Sequence, residues 1–453
     1  MMRLPELKPN LFYPKLFYFV LILACCLILL SSFFLTHLWV WSLGLLYVAY
    51  DTALLLFIFI KTLRLQPQSL SNIQLPSVAV IIPARNEASV LSACLDAVLA
   101  QSMPIKTIMI ADDGSTDSSP QLLQDLYDIP QGVGLIKSKV HSNISVLRLP
   151  HQGKAYALNA AWPLLDADIV VTLDADTILA PNATRALAQA FAMQPSLAVA
   201  GGVLQPQCTP CWAGGFFEFF QKFEYIYSFV ARAGWMKANA LLLVSGAFAA
   251  YRKDVLVQLN GFDPHSMVED YEINHRIYRY AYEHHQGWTI GVVAGAYAIT
   301  DAPATLGKFF NQRQRWFAGF LHTQFANLDM TANPKFGVIG RFMLPIKALD
   351  AVQPLLGVVA LGLLVWLIAM QSPALMAIVW VVMIKLSIDL LFNLWALFIY
   401  HRWASQPLAG KLWIQVFIYT LLTPFSFQWL RHIGACLGWL SYLTKRLDWK
   451  AQR

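Results

Sequence analysis

Ile105-Lys106-Thr107-Ile108-Met109-Ile110-Ala111 is a short, β-branched apolar run that ends in Asp112-Asp113-Gly114-Ser115. Asp168 to Leu173 repeats the pattern and ends in Asp174-Ala175-Asp176. Apolar runs of this length, closed by turn residues, read as buried strands. Val78 to Ile82 and Ile144 to Leu149 read the same way, and the stretches after Glu87, Ser118, Lys154 and Asn182 read as helices. Strands alternating with helices at this spacing predict a parallel, doubly wound sheet covered on both faces. Ligands of such sheets bind beyond the carboxyl ends of the strands. Both acidic clusters therefore fall on one rim.

Like charges held close in a partly desolvated site repel. A divalent cation relieves that repulsion, and Mg2+ and Mn2+ prefer oxygen ligands, with substrate phosphates completing the shell. Asp-x-Asp alone equally describes a turn, and Asp112 to Asp117 equally describes a helix N-cap. Two adjacent carboxylates at the end of a buried strand favour the metal-diphosphate reading.

Long apolar stretches flank this segment. Of 453 residues, 57% are hydrophobic and 13% charged, a composition that excludes an ordinary soluble protein and predicts a membrane protein with a soluble part. Leu16 to Leu35 and Leu38 to Ile60 each approach the ~20 apolar residues of a spanning helix. They read as a hairpin around Thr36-His37, uncleaved because the first run is too long for a signal peptide. Lys8 and Lys15 precede the hairpin and Lys61 and Arg64 follow it, which places both ends in the cytoplasm. The net charge of +7 follows from such flanking residues; without a dense basic stripe it does not point to nucleic acid.

A polar linker opens at Gln66-Pro67-Gln68-Ser69, and the chain turns apolar again after Phe342. Leu355 to Met370 and Ala374 to Tyr400 read as crossings. Leu412 to Leu430 and Ile433 to Leu443 conflict with a basic cytoplasmic tail if both cross, so a re-entrant hairpin or an interfacial helix is expected there. The expected organisation is an N-terminal transmembrane hairpin over 1–65 and a cytosolic domain over 66–304. Interfacial helices over 305–345 and a C-terminal membrane region over 346–453 follow. Lys385 and Asp389, one helical turn apart inside an apolar run, are expected to pair or to line a polar path together with Asp51.

The ordered motifs resemble the membrane-embedded family 2 glycosyltransferases of GT-A fold, the branch of the cellulose, chitin, hyaluronan and poly-N-acetylglucosamine synthases. They are Val80-Ile81-Ile82-Pro83-Ala84-Arg85-Asn86-Glu87, Asp112-Asp113-Gly114-Ser115, Gly153-Lys154-Ala155-Tyr156-Ala157-Leu158-Asn159, Leu173 to Asp176, Val268-Glu269-Asp270 and Gln312-Arg313-Gln314-Arg315-Trp316. The resemblance covers about Val78 to Gly319. It implies an α/β GT-A domain, Rossmann-like with a mainly parallel sheet, inserted between transmembrane helices.

The resemblance also implies roles. Pro83, Arg85, Glu87, Asp112, Asp113, Lys154 and Asp174 belong to the nucleotide-sugar site, Asp112 and Asp113 contacting uracil and ribose. Asp174 and Asp176 carry Mg2+ or Mn2+. Asp270, beside Glu269, is the base that deprotonates the acceptor, giving inversion without a covalent intermediate. Gln312, Arg315 and Trp316 close the site at the membrane: Arg315 can fork onto diphosphate oxygens and Trp316 can stack on an acceptor sugar. The same helix would also suit a membrane surface. Val268 stands where many such synthases carry Thr, and Asp301 where relatives often have Glu; neither change removes a reacting group.

The expected partners are a UDP-sugar, a saccharide or lipid acceptor, and the bilayer of a bacterial-type inner or plasma membrane. Accessory subunits are compatible with this sequence, and nucleic acid is not expected. The expected activity is extension of a β-linked polysaccharide from a UDP-sugar, N-acetylglucosamine or glucose, with passage of the product through the helices. Transfer of one sugar to a membrane lipid is the alternative, and a non-catalytic membrane subunit is disfavoured by the intact Asp176, Asp270 and Arg315. Cys208-Thr209-Pro210-Cys211 has metal or redox spacing but no second pair nearby, and the six cysteines imply no disulfide framework. His151 is expected to be a solvated loop residue within reach of the diphosphate. His275, His284 and His285 are expected on an exposed helix face.

Overall fold

The computed structural model describes residues 11–31, 37–67 and 73–445. Lys8, Thr36, Gln68, Ser69 and the basic tail beyond Lys445 lie outside the described residues. Two helices, α1 (Phe12–Ser31) and α2 (Ser42–Thr62), precede the globular segment. There follow β1 (Val78–Ala84), α3 (Leu91–Leu99), β2 (Thr107–Asp113), α4 (Ser119–Tyr127), β3 (Gly134–Lys137), β4 (Ile144–Leu149) and α5 (Lys154–Ala161). Next come β5 (Ile169–Leu173), β6 (Thr177–Leu179), α6 (Ala183–Met193), β7 (Leu197–Gln207) and the long α7 (Trp212–Lys237). Then β8 (Phe248–Arg252), α8 (Lys253–Leu259), α9 (Glu269–Glu283), β9 (Thr289–Asp301) and α10 (Leu306–Ala326) complete the domain. The chain ends in α11 (Leu344–Ala369), α12 (Leu375–Trp403), α13 (Lys411–Leu422) and α14 (Phe427–Leu443).

The strands form one sheet of order β3-β4-β2-β1-β5-β8-β7-β9-β6. β4, β2, β1 and β5 pair in parallel, as the alternating pattern predicts, and β7 and β9 are parallel to each other. β3, β8 and β6 run against their neighbours, so the sheet is mixed rather than purely parallel. Val78 to Ile82 and Ile169 to Val171 are fully buried. Strands covered on both faces need such continuous apolar runs.

Among the described residues, four helices are long and apolar enough to cross a membrane: Phe12–Ser31, Leu38–Thr62, Ile339–Ala369 and Leu375–Trp403. The third starts well before the expected Leu355. Pro345 stands in its first turn, where a missing N–H costs nothing, and Lys347 pairs with Asp350 at 2.7 Å, so polar residues do not stop the helix. The apolar run Leu412 to Leu430 is broken at Pro424 into α13 and α14. At ~1.5 Å per residue, the twelve residues of α13 reach only ~18 Å.

α14 lies along α10 instead of standing apart. A Cβ added at Gly434 would meet the Arg313 Cβ at 2.6 Å, and one at Gly438 would meet the Phe317 Cβ at 2.6 Å. The two helices thus touch where glycine removes the side chain. On the other side α7 docks the globular domain onto the helices, with Trp235 packed on Phe57 of α2 at 4.6 Å between ring centroids. In α2 and α12, Lys385 bridges Asp51 (2.6 Å) and Asp389, so the expected pair is a three-residue cluster.

Candidate active site

At the carboxyl ends of β1, β2 and β5 a cavity of about 690 Å³ opens and continues between α7, α10 and the apolar helices. Pro83, Arg85, Glu87, Asp113, Lys154, Asp174, Asp176, Glu269, Asp270, Gln312, Arg315 and Trp316 all line it. One expected residue does not. Asp112 turns aside, accepting a bond from the Ser115 amide at 2.9 Å and lying 3.9 Å from Arg148. Asp113 is spent on the loop before α5, accepting from the backbone N–H groups of Gln152 (2.8 Å) and Gly153 (3.0 Å), with His151 Nδ1 at 2.8 Å. The loop His is therefore paired rather than merely solvated. Gly153 permits this contact through a φ of 110° that other residues rarely adopt, and α5 begins one residue later.

That geometry delivers Lys154 to the centre of the site. Its ammonium lies 2.6 Å from Asp174 Oδ1, 3.0 Å from Glu269 Oε1 and 3.4 Å from the Gly246 carbonyl. Burial works against the Lys154 cation, yet Asp174 and Glu269 hold its proton affinity above the ordinary lysine range. Burial likewise opposes the Glu269 charge, but Lys154, with Arg315 further off, holds its carboxyl below the usual range. One lysine thus ties together the segment after β5, the turn before β8 and the start of α9.

Asp270 differs from its neighbour. Burial first, and the Glu269 charge second, push its carboxyl up to about 6. The amides of Gly246 (2.7 Å) and Tyr271 (2.8 Å) hold it in place, and it stands in the first turn of α9, where the helix dipole favours a negative charge. A fixed carboxylate whose proton affinity approaches neutrality is suited to general-base work.

Asp176 is pushed up to about 7 by burial and by the charges of Asp174 and Glu87, with only the hydroxyls of Thr177 (3.2 Å) and Thr300 (3.4 Å) to relieve it. A hard cation fits this pair of oxygen donors. Among the described residues no cluster of three or more His, Cys, Asp or Glu side chains is placed to hold a metal unaided. The shell therefore needs oxygens from a ligand, as for Mg2+ bound through one or two carboxylates and a diphosphate. Arg85 Nε and Gln312 Oε1 are buried in the cavity wall without hydrogen-bond partners among the described residues.

The strongest interaction at the membrane end involves residues the sequence reading did not single out for the site. Glu224 of α7 receives a fork from Arg313 (2.6 and 3.0 Å) and forms an ion pair with Arg431 of α14 (3.2 Å). The Arg313 guanidinium is sandwiched over Phe309 and Trp316, 4.8 Å from each ring. An inner residue of Gln312-x-x-Arg315-Trp316 thus fixes the tryptophan. Glu224 lies between Phe223 and Tyr225 just as Glu218 lies between Phe217 and Phe219, so the sequence of this helix does not single it out.

Other candidates fall away from the cavity. Cys208 is buried, its thiol 3.6 Å from the Pro303 carbonyl, while Cys211 Sγ caps α7 by accepting from the Gly214 amide. His275 is not on an exposed face: it is fully buried, Nδ1 bonded to the Tyr271 carbonyl and its ring against Tyr271. Burial pushes it down to about 4, so it stays neutral. The helix turns that side toward α10 because Tyr271 and His275, four residues apart, share one face. His284 and His285 are exposed as expected.

A family model described as glycosyltransferase like family 2 matches residues 76–319. The poly-beta-1,6-N-acetyl-D-glucosamine synthase of Staphylococcus aureus (strain COL) is 27% identical over 248 residues, 54% of this chain and 55% of that protein. The Staphylococcus epidermidis protein of the same name is 25% identical over 248 residues, with the same coverage. The chain spans about half the length of the curated relatives it matches. Among solved structures, a mannosyltransferase from Pyrobaculum calidifontis in complex with GDP-Man and Mn2+ superposes with a TM-score of 0.57 at 18% identity, covering 89% of this chain and 99% of that one. A likeness at that identity speaks for the fold.

Proposed function

Because the chain belongs to the glycosyltransferase-like family 2 and is a glycosyltransferase of GT-A fold, we propose that it transfers a sugar from a UDP-sugar to a growing β-linked polysaccharide with inversion. The observation that carries this reading is the single cavity that holds Lys154, Asp174 and Asp176 at one end, Asp270 in the middle, and Arg315 and Trp316 toward the apolar helices. The similarity to poly-beta-1,6-N-acetyl-D-glucosamine synthases supports N-acetylglucosamine as the donor sugar.

The chain's own groups account for each step. Asp270 takes the proton of the acceptor hydroxyl, and that oxygen forms a bond to the anomeric carbon on the face opposite the diphosphate. The bond from the anomeric carbon to UDP breaks, and the negative charge on the departing diphosphate is met by Arg315. Lys154 holds Asp174 and Glu269 so that the donor and acceptor halves keep one geometry. Trp316, fixed by Arg313, offers its ring to the acceptor sugar. Asp174 and Asp176 would hold Mg2+ or Mn2+, which supplies charge neutralisation of the diphosphate. Lys15, Lys61 and Arg64 flanking the first two helices support a cytoplasmic catalytic domain.

Transfer of one sugar to a lipid is the second reading, favoured by Leu54, Leu55 and Ile58 in the cavity wall. Purified full-length protein is to be incubated with a panel of labelled UDP-sugars and Mg2+ or Mn2+, and lipid-soluble product separated from high-molecular-weight product. Polymer that disappears with chelator and returns with the metal is expected. A single labelled glycolipid would refute the polymerase reading.

A further inference from the structure

Most basic residues that line the inner chamber are matched by an acid. Lys154 has Asp174 and Glu269, Arg313 and Arg431 share Glu224, and Lys347 has Asp350. Like Arg85 at the end of β1, Arg232 of α7 has no such acid. It lines the same cavity, its Nε is buried without a partner, and it makes no hydrogen bond or ion pair with any described residue. Its guanidinium carbon lies 4.6 Å from the centre of the Phe229 ring. A further positive charge faces it: Lys347 of α11 lines the same chamber and lies close enough to repel it. Burial pulls the Arg232 proton affinity down to about 10, against the opposing charges of Tyr225 and Asp270.

A cation in a desolvated wall that no acid contacts directly favours an added anion. The guanidinium fork matches the oxygens of a phosphate, and a neighbouring ammonium adds to the attraction without demanding geometry. The surroundings say what carries the anion. Beside Arg232 the wall is Leu54, Leu55 and Ile58 of α2, Trp235 of α7 and Leu243, and both α2 and α11 are long and apolar enough to cross a membrane. An aliphatic chain suits this wall.

We propose that Arg232, with Lys347 opposite, binds the phosphate of a membrane amphiphile whose hydrocarbon chain lies along α2, and that this site is separate from the donor diphosphate site at Lys154 and Arg315. The site stands beside Asp270, so the bound phosphate lies on the acceptor side of the reaction centre. The inference rests on the transferase reading of the cavity but not on a polymeric product.

The test uses the full-length protein in detergent and farnesyl phosphate as the probe, with farnesol, inorganic phosphate and glucuronate as comparators. Quenching of intrinsic tryptophan fluorescence reads binding. Farnesyl phosphate is expected to bind at least ten times more tightly than farnesol or inorganic phosphate, and Arg232→Gln to weaken it at least tenfold, with Arg232→Lys in between. UDP affinity measured on the same samples reports that each variant is folded. Equal affinity for farnesol and farnesyl phosphate overturns the proposal without any variant. Equal affinity for inorganic phosphate would mean a free-ion site, and tighter binding of glucuronate an acidic-sugar site; either outcome also overturns it. Unaltered farnesyl phosphate binding by Arg232→Gln, with only the pH profile of transfer moved, would show that the arginine serves Asp270 alone. Polymer synthesis without farnesyl phosphate binding sinks this inference and leaves the proposed function standing, and binding without polymer does the reverse.

Discussion

Glu224→Gln removes one negative charge and leaves the shape of the side chain intact. The carboxylate is 12% exposed and holds Arg313, 14% exposed, through two charge-assisted bonds. Losing the charge from such a bond costs about 1.5–3 kcal/mol. Arg431 is 44% exposed, so solvent screening reduces its share to about 0.5 kcal/mol. The amide keeps one acceptor oxygen, and the expected destabilisation is therefore about 2 kcal/mol. Glu224→Ala, which leaves both guanidinium groups without an acid, should cost about 3–5 kcal/mol. The kinetic effect follows from Trp316: once Arg313 is free to leave the ring, the tryptophan loses its anchor, and displacements of about 1 Å in a reacting site cost up to ~100-fold. Denaturant unfolding of the detergent-purified protein reads the first quantity, and transfer rates at varied acceptor and donor concentrations read the second. The acceptor side should carry the loss, with UDP affinity unchanged because Lys154 and Asp174 are untouched. If both variants unfold within ~0.5 kcal/mol of the parent and transfer normally, the clamp is ornamental and the argument for Trp316 placement fails.

The raised Asp270 carboxyl sets a pH dependence. Its protonated form persists up to about 6, so transfer should fall as pH drops through that value, about tenfold per unit below it. Asp270→Asn should cost at least ~100-fold in transfer and remove the acidic limb while retaining UDP binding; transfer that keeps the limb would show that another group is the base. Lys154→Met strips Asp174 and Glu269 of their shared cation and one stabilising charge from Asp270, so UDP-sugar affinity should drop and the residual acidic limb move to higher pH. A limb that moves to lower pH would contradict the electrostatic scheme. Gly246→Ala would place a Cβ 3.1 Å from the Asp270 Cβ and 3.2 Å from both Asp270 Oδ2 and Glu269 Oε1. It should reduce turnover ~10-fold or more with little change in UDP binding, and an unaffected turnover would mean that Asp270 can shift without consequence.

The rim of the sheet was legible because strand, turn and carboxylate are adjacent in the chain: Ile105 to Asp113 and Asp168 to Asp176 each place an acid at a predictable strand end. The residues that join those acids were not. Glu224 and Arg232 sit in an aromatic helix whose pattern says only that it is half-buried, and their partners are 89 residues away on α10 or, for Arg232, absent from the described chain. The inward turn of His275 was missed because a polar helix face reads as solvated unless the packing of α10 against it is known. Asp112 shows the converse error. Two adjacent carboxylates look equivalent in sequence, but successive residues of a strand point to opposite faces, so only Asp113 can face the cavity.

The bridge from Lys385 to Asp51 has a consequence for how the protein is made. Asp51 leaves the ribosome roughly 330 residues before its partner, an interval on the order of 20–60 s at ordinary rates of synthesis. Throughout that time the N-terminal hairpin carries an acid that no lysine answers. Its insertion is therefore provisional until α12 arrives, and the last apolar helices act as the lock that makes the first ones permanent. A fragment ending after α2 should be extracted from the membrane by alkaline carbonate, whereas the full chain should resist it.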